Sequence, residues 1–199
     1  MITFLIPSIG RETLLRTIDS LYKQTNNSWE CYVGFDGIHK SDINFNLPKD
    51  KRINYRFYQE KSGVVNTNNF GHSCAGHVRN KLIDETIRGK SKWIGFVDDD
   101  DSLTEDYVEE LSVIGNDYDI CIFTMSYDPT NSKLIPTPQT RKVQHCNVGI
   151  SFCVKSDFIR KTNLRFVQNT GEDYMFLAQA ESLGAKILFT DKICYRVRW

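Results

Sequence analysis

The sequence lacks any imbalance of charge, because its 199 residues include 25 lysines and arginines and 25 aspartates and glutamates. Without a net field of either sign, the chain has no global attraction for nucleic acid or for an anionic membrane surface. It also lacks a run of about 20 apolar residues, the length needed to span a bilayer. The amino terminus does not have the basic start and long apolar region of a signal peptide. We therefore expect a soluble cytosolic protein with no membrane span and no nucleic-acid partner.

Spacings typical of zinc ligands are missing as well. The six cysteines are scattered and none belongs to a Cys-x-x-Cys pair. Several lie in apolar stretches, and without secretion we expect free buried thiols rather than disulfides. The four histidines show no ligand spacing either. His145, which lies closest to a predicted strand, is the one histidine that could reach a metal there.

The dominant feature that is present is the stretch from Trp93 to Leu103, where five mostly apolar residues precede the four aspartates Asp98 to Asp101. A short apolar run that ends in a sharp polar break predicts a buried central strand of a parallel sheet. Adjacent carboxylates repel and raise each other's pKa, so a divalent cation is the best explanation of the cluster. Open α/β sheets bind ligands at this end of a strand. We expect Mg²⁺ or Mn²⁺, hard ions that take carboxylate oxygens and leave positions for phosphate.

The aspartates are open to two other interpretations. The cluster could be a solvated acidic turn that caps the following helix. It also approaches the ligand spacing of an EF-hand calcium loop. However, Leu103 stands where that loop needs glycine, and a strand rather than a helix precedes it, which excludes the EF-hand.

Apolar periodicity along the rest of the chain predicts strands that alternate with helices. The predicted strands cover residues 2–6, 29–35, 53–58, 93–97, 119–125, 148–155, 187–189 and 193–197. One helix is predicted to follow residue 10, and others to cover about 74–87, 158–162 and 171–183. A further helix is predicted to begin at Thr104, which would be its N-cap. Residues 38–50 and the asparagine-containing stretch 66–71 are predicted loops, and 126–145 an irregular or hairpin excursion. This alternation predicts a single α/β domain with a mostly parallel, mixed central sheet flanked by helices.

Three further motifs gain meaning from their positions. Asp36-Gly37 ends the second predicted strand, which puts its carboxylate on the same rim as the aspartates; alone it is also an ordinary turn signal. Arg79 lies near the start of a predicted helix, where an arginine is usually solvated. Glu172 and Asp173 open another helix, either as simple capping residues or with Asp173 as a general base. A carboxylate near a helix amino terminus is expected to stay ionised at neutral pH.

In combination and order, these motifs resemble the GT-A fold and specifically glycosyltransferase family 2. The resemblance is carried by Thr3 to Ser8, Leu14 to Gln24, Phe35-Asp36-Gly37, Val78-Arg79-Asn80, Phe96 to Leu103 with its DxD motif, and Gly171-Glu172-Asp173. It implies a Rossmann-like nucleotide-diphospho-sugar transferase domain over residues 1–199. Residues up to about 101 would form the nucleotide-sugar-binding half, and the remainder the acceptor-binding half.

The activity implied by the resemblance is metal-dependent transfer of one sugar from a nucleotide-diphosphate donor to a hydroxyl acceptor on a glycan, protein or lipid. UDP-sugar is the default donor, because Asp36 and Arg79 match the family's uridine contacts. Inversion would follow from single displacement, with Asp173 as the base. The implied site residues are Pro7, Ser8, Asp36, Arg79, Asp98 and Asp99 for the donor, Asp98 and Asp100 for Mn²⁺ or Mg²⁺, Asp101 for the donor sugar, and Asp173 and Glu172 for catalysis.

The sequence also departs from the family pattern. The family often supplies a further histidine after the helix that begins at Glu172, but no histidine follows His145, so Arg196 and Arg198 could bind the diphosphate instead. The segment from Tyr195 to Trp199 is similar to the QxxRW motif of processive synthases but lacks its glutamine. Without membrane helices, processive synthesis is not expected.

Four alternatives stay open. A nucleotidyltransferase would have a more glycine-rich and basic first loop than Ser8-Ile9-Gly10-Arg11. A phosphoacceptor receiver module would place its acidic cluster after the first strand and would not need Glu172 and Asp173. A GT-A domain that binds sugar nucleotide without catalysis, and a retaining transferase, are the remaining two.

Overall fold

The computed structural model describes residues 1–62, 64–67, 70–73, 75–137, 139–167 and 171–198. The elements in chain order are β1 (Ile2–Ser8), α1 (Leu14–Tyr22), β2 (Trp29–Asp36), a 3-10 turn (Lys40–Asp42), β3 (Ile53–Tyr58), β4 (Val64–Thr67), β5 (Phe70–Ser73), α2 (Ala75–Thr86), β6 (Trp93–Phe96), β7 (Ser102–Leu103), α3 (Tyr107–Ser112), β8 (Ile120–Ser126), β9 (Leu134–Ile135), β10 (Phe152–Lys155), α4 (Ser156–Thr162), α5 (Glu172–Ser182) and β11 (Ile187–Arg196). Among the described helices, none combines the length and the apolar character that crossing a membrane requires.

One mixed sheet organises the domain, with strand order β3-β2-β1-β6-β10-β8-β11-β7 and β9 paired to β8. Parallel pairing joins β3, β2, β1 and β6, and also β8 and β11. β10 lies antiparallel between β6 and β8, and its ladders are shorter. β4 and β5 form a separate antiparallel ribbon. The expected α/β domain with a mostly parallel, mixed sheet is confirmed.

The register brings several strand ends to one edge of the sheet. β1 lies between β2 and β6, with Leu5 opposite Phe96 and Ser8 opposite Phe35. Because these strands are parallel, the residues that follow them lie on one rim, where Ser8, Asp36 and Asp98 meet. The single rim expected from the sequence is therefore present in the structure.

A cluster of four phenylalanines fixes α5 against the sheet. The rings of Phe166 and Phe176 stack with centroids 4.3 Å apart, and Phe96 of β6 meets Phe166 edge-on at 5.0 Å. Phe152 of β10 stacks on Phe176 at 5.3 Å. Since Phe176 lies in the first turns of α5, this packing holds the start of that helix beside the end of β6.

The helix that follows the aspartates begins later than predicted. Thr104 does not cap it; α3 starts at Tyr107 with Asp106 in the N-cap position, and the Thr104 hydroxyl donates to the Asp106 carboxylate. The reason is tertiary pairing, because Ser102 and Leu103 form β7 against Arg196 and Tyr195 of β11. The pairing continues to Thr104, whose amide donates to the Cys194 carbonyl of β11 at 3.1 Å, so this residue extends the strand contact instead of capping the helix.

Other boundaries also differ from the sequence predictions: β1 continues to Ser8, and α4 begins at Ser156. Only residues 152–155 of the predicted strand 148–155 pair, as β10. The two predicted last strands are one strand, β11, whose register shifts between Phe189 and Ile193 at an irregularity. The predicted loop around residues 66–71 contains the β4–β5 ribbon. Asn68, Asn69 and Cys74, which the loop and helix predictions included, lie outside the described residues.

The cysteines that the structure describes are free. Cys31, Cys121, Cys153 and Cys194 are buried, as expected, whereas Cys146 is exposed. Burial raises the pKa of the Cys153 thiol to about 12. These buried thiols are packing groups rather than nucleophiles.

Close contact between α2 and β2 depends on Gly34. A Cβ at this position would meet Val78 Cγ1 at 2.6 Å and Leu82 Cδ1 at 3.1 Å. We expect Gly34→Ala to lower the free energy of unfolding by roughly 1–3 kcal/mol, because an overpacked core must shift. Urea denaturation measures this loss. Gly115→Ala is the matched control, since the atom nearest to an added Cβ there lies 3.9 Å away. An equal loss of stability in both variants would contradict the explanation.

Candidate active site

A cleft of about 360 Å³ lies at the rim formed by the strand ends. It is lined by the predicted residues Pro7, Ser8, Asp36, Asp98, Asp99 and Asp100. Ala75 and Val78 at the start of α2 close one side of it, and Arg198 lies at another. The structure therefore brings together residues that are far apart in the chain and that the sequence assigned to one site.

Asp98, Asp100 and Asp101 form a carboxylate cluster. One oxygen from each lies within 4.8 Å of the others. A magnesium-like ion has bonds of about 2.0–2.1 Å and keeps several waters, so it can bind two of these carboxylates directly and the third through water. The donor set thus fits a hard divalent cation. Asp101, which the resemblance placed beside the donor sugar rather than the metal, belongs to this cluster.

Asp99 differs from its neighbours because it faces the β1–α1 loop. Its Oδ2 accepts hydrogen bonds from Ser8 Oγ at 2.7 Å and from the Ile9 amide at 3.3 Å. Its Oδ1 pairs with Arg11. Asp99 is 2% exposed, and its contacts anchor the end of β1, which carries Pro7 and Ser8, together with the start of the loop that follows. Its predicted contact with the donor stays a prediction.

Asp36 lies at the other end of the cleft. Its Oδ1 accepts the Ser62 amide at 2.7 Å, which fixes the carboxylate. Gly37 follows with φ +66 and donates its amide to the Tyr58 carbonyl at 3.0 Å. A side chain at Gly37 would collide with Lys61, so the tight turn needs glycine. This turn holds Asp36 at the cleft wall.

Arg79 is buried between carboxylates, contrary to the usual solvated arginine. It extends from α2 to pair with Asp98 and Glu172, and its Nη1 lies 3.5 Å from Asp173 Oδ1. Its guanidinium lies 5.2 Å from the centroid of the Phe166 ring. Burial alone would lower the pKa of Arg79, but the neighbouring carboxylates raise it above the ordinary value. Arg79 therefore remains charged and links the aspartate cluster to α5.

Glu172 and Asp173 have different environments at the start of α5. Glu172 Oε2 accepts the Gly76 amide at 2.8 Å, and Oε1 pairs with Arg79. Asp173 Oδ1, in contrast, is buried without a hydrogen-bond partner among the described residues. Both Glu172 oxygens are therefore engaged, whereas Asp173 Oδ1 is not hydrogen-bonded among the described residues. The predicted catalytic roles of the two carboxylates stay predictions.

Burial raises the pKa of Asp173 to about 7, with further increases from Asp98 and Glu172 and an opposing effect of Arg79. The sequence had indicated an ordinary ionised carboxylate at a helix amino terminus. Desolvation outweighs that helix effect here. A carboxylate that titrates near neutral pH is suited to general-base work.

Two residues of β11 and its continuation complete the floor of the site. The Tyr195 hydroxyl donates to Asp101 Oδ2 at 2.8 Å and accepts the Asp98 amide at 3.1 Å. The Arg198 amide donates to Asp101 Oδ1 at 3.0 Å. Burial, followed by the charge of Asp98, raises the pKa of Asp101 to about 7. The sequence marked Tyr195 only as the start of the segment similar to QxxRW, and its contacts with Asp98 and Asp101 were missed because these partners are almost a hundred positions away.

The other basic residues that the sequence suggested as ligands lie at different positions. Arg198 lines the cleft, where its Nε lies 3.1 Å from Asp100 Oδ2. Arg196 pairs opposite Ser102 in the β11–β7 ladder. His145 lies against Gly171 and Tyr174 at the start of α5 rather than in the carboxylate cluster.

Comparison with known proteins gives a family-model match and several structural neighbours. The family model described as Glycosyl transferase family 2 matches residues 3–172. A search of curated proteins finds no match. TarS 1-349 of S. aureus, solved in complex with UDP-GlcNAc, is 16% identical with a TM-score of 0.72, covering 98% of this chain and 58% of its own.

Two further solved structures share the fold. A mannosyltransferase, PcManGT from Pyrobaculum calidifontis, in complex with GDP-Man and Mn²⁺, is 10% identical with a TM-score of 0.68, covering 99% of this chain and 56% of its own. A197 from STIV is 17% identical with a TM-score of 0.53, covering 96% of this chain and 81% of its own. The chain thus spans little more than half of the length of the TarS 1-349 and mannosyltransferase chains.

Proposed function

The chain belongs to glycosyl transferase family 2, and on that premise we propose that it moves one sugar from a nucleotide-diphosphate donor to a hydroxyl group of a glycan or glycoconjugate acceptor. The observation that carries the proposal is the pairing of two groups through Arg79. On one side lie the metal-competent carboxylates Asp98, Asp100 and Asp101. On the other lies Asp173, whose buried Oδ1 has no hydrogen bond among the described residues and lies 3.5 Å from Arg79 Nη1.

For the donor, we propose a UDP-sugar. Asp36 Oδ1 is held by the Ser62 amide, which orients the carboxylate at the cleft wall so that it can accept a base N–H. TarS 1-349 was solved with UDP and with UDP-GlcNAc, and the mannosyltransferase with GDP-Man. UDP and GDP are therefore the two nucleotides to compare first. Pro7 and Ser8 would lie along the nucleotide.

Asp98 and Asp100 would hold Mn²⁺ or Mg²⁺, with Asp101 close enough to assist. The ion would supply Lewis-acid stabilisation of the negative charge that develops on the departing diphosphate. Arg79 would keep the Asp98 carboxylate oriented, because its guanidinium pairs with Asp98 Oδ1. Tyr195 does the same for Asp101.

Asp173 would act as the general base. Its carboxylate takes the proton of the acceptor hydroxyl while the acceptor oxygen bonds to the anomeric carbon and the bond from that carbon to the diphosphate oxygen breaks. Single displacement of this kind inverts the anomeric configuration. A retaining transferase is the alternative, and the anomeric proton couplings of the product distinguish the two outcomes.

We further propose that the two halves divide these tasks. Residues up to about 101 contribute Asp36, Arg79 and the aspartates, and residues from about 102 onward contribute Asp173 and Arg198. Except for Arg198, the residues that line the cleft come from the first of these parts, which suits a donor held there and an acceptor that approaches from the side of α5.

Loss of the cation site gives the first test. Ligands that bind only the folded state stabilise it by about 2.7 kcal/mol at a hundredfold excess over Kd. We expect UDP with Mn²⁺ to raise Tm of the wild type, and Asp100→Asn to abolish the Mn²⁺-dependent part of that rise. Asp117→Asn, at an exposed position, is the control and should behave as the wild type.

The ligand series sharpens this test. UDP, GDP, CMP and their sugar conjugates are compared with and without Mn²⁺. Failure of every diphosphate to raise Tm of the wild type would overturn the transferase proposal and leave the cluster as a signalling or structural metal site. Binding without any transfer to a panel of acceptors would favour a sugar-nucleotide-binding domain.

A further inference from the structure

Two arginines from opposite ends of the chain converge on a single carboxylate oxygen. Asp100 Oδ2 lies 3.0 Å from Arg11 Nη1 and 3.1 Å from Arg198 Nε. The Arg11 contact is a hydrogen bond, and the Arg198 contact is an ion pair. One oxygen of a carboxylate that belongs to the candidate cation cluster is therefore engaged by guanidinium groups.

Arg11 has a second attachment that remains if Asp100 is released. Its other terminal nitrogen pairs with Asp99, which is itself held by Ser8 and the Ile9 amide. The Arg11 side chain is 42% exposed and borders the cleft. The Arg11 side chain can therefore move away from Asp100 while it stays paired with Asp99 and beside the cleft.

Charge balance decides which partner Arg11 prefers. In the cation-free site the carboxylates of Asp98 to Asp101, Glu172 and Asp173 outnumber the guanidinium groups, so Arg11 is retained on Asp100. A divalent cation bound by Asp100 would repel the Arg11 guanidinium beside it. A diphosphate offers a new set of anionic oxygens, which an arginine fork binds in a bidentate manner.

We propose that Arg11 occupies Asp100 in the cation-free protein and transfers to the donor's diphosphate when the ion binds, so that it couples the two ligands. The inference rests on the proposed function, because it assumes that both ligands bind in this cleft. Breaking the Arg11–Asp100 contact weakens binding of the ion alone, and the diphosphate compensates by taking the released arginine. Coupling of this kind is reciprocal: each ligand tightens the other by the same factor.

Direct Mn²⁺ binding to the nucleotide-free protein, followed by electron paramagnetic resonance of the free ion, tests the coupling without activity. We expect Arg11→Gln to tighten Mn²⁺ binding about 5-fold or more, within the range typical of coupled sites. In the wild type, UDP should tighten Mn²⁺ binding by at least that factor more than it does in Arg11→Gln, where only the direct contact between the ion and the diphosphate couples the two ligands. UMP, which lacks the second phosphate, should couple weakly in both proteins.

Two variants control this experiment. Arg56→Gln removes an arginine from an ion pair with Glu85 outside the cleft and should leave Mn²⁺ binding unchanged. Arg11→Lys keeps the charge without the fork, so its coupling should lie between those of the wild type and Arg11→Gln. Thermal melts establish that each variant is folded.

The possible failures are distinguishable. Unchanged Mn²⁺ affinity in Arg11→Gln, with the UDP effect retained, would overturn the role of Arg11 and leave the proposed function intact. Absence of Mn²⁺ binding from the wild type in the presence of UDP would reject the metal site itself, and with it both proposals.

Discussion

Asp173→Asn is expected to lower kcat for sugar transfer by about 10²- to 10⁴-fold, the usual contribution of a positioned general base. Donor affinity should stay at the wild-type value, because Asp173 lies outside the residues that line the nucleotide cleft. Asparagine keeps the size of the side chain but cannot take the proton of the acceptor hydroxyl. Steady-state kinetics measure kcat, and titration calorimetry with UDP and Mn²⁺ measures binding.

The same substitution has an opposite effect on stability, which separates loss of chemistry from loss of fold. An aspartate in an unfolded chain titrates at about pH 4, whereas burial raises the pKa of Asp173 to about 7. Between these values the folded protein binds more protons, so ionisation of Asp173 costs stability as pH rises. We expect Asp173→Asn to have a higher Tm than the wild type at pH 8 and an equal Tm below pH 4.

Glu172→Gln provides the comparison at the neighbouring position. Glu172 pairs with Arg79 and accepts the Gly76 amide, so its loss should reduce stability and activity together. Wild-type turnover by Asp173→Asn would refute the assignment of Asp173 as base. The wild-type rate should also rise with pH through about 7, as the carboxylate ionises.

The local sequence pattern was sufficient to predict the rim of the site. The apolar run before Asp98 and the break at Asp36-Gly37 both mark ends of buried parallel strands, and parallel strands bring such ends to one edge. β3 likewise has the bounds predicted for it, 53–58. These features are readable because each is encoded by adjacent residues.

Features that depend on pairing between residues far apart in the chain could not be predicted from the sequence. Thr104 looks like a helix cap, but the β7–β11 pairing keeps the preceding residues extended. Tyr195 contacts Asp98 and Asp101 only because β11 runs beside β8 and β7. In the sequence, Arg11 stands out only as part of the first loop, which has less glycine than the first loop of a nucleotidyltransferase. Its ion pairs with Asp99 and Asp100 require the fold.

Arg79→Met is expected to lower the free energy of unfolding by about 3–5 kcal/mol, the cost of breaking a buried ion pair by removing one partner. Arg79 is 2% exposed and contacts carboxylates from β6's end and from α5. Methionine fills part of the volume and retains contact with Phe166, but it leaves Asp98, Glu172 and Asp173 facing one another without a cation. Urea denaturation at pH 7.5 measures the loss.

The control and the pH dependence show that charge is the cause. Arg56→Met removes a more exposed ion pair with Glu85 and should cost no more than about 1 kcal/mol. Because Arg79 lowers the pKa of Asp173 against the effect of burial, its removal should raise that pKa further. Protonation of the facing carboxylates then relieves their repulsion, so the destabilisation of Arg79→Met should shrink as pH falls from 7.5 toward 5. A loss within 1 kcal/mol of the Arg56→Met value, or one independent of pH, would mean that Arg79 contributes packing rather than the charge that joins the two halves of the site.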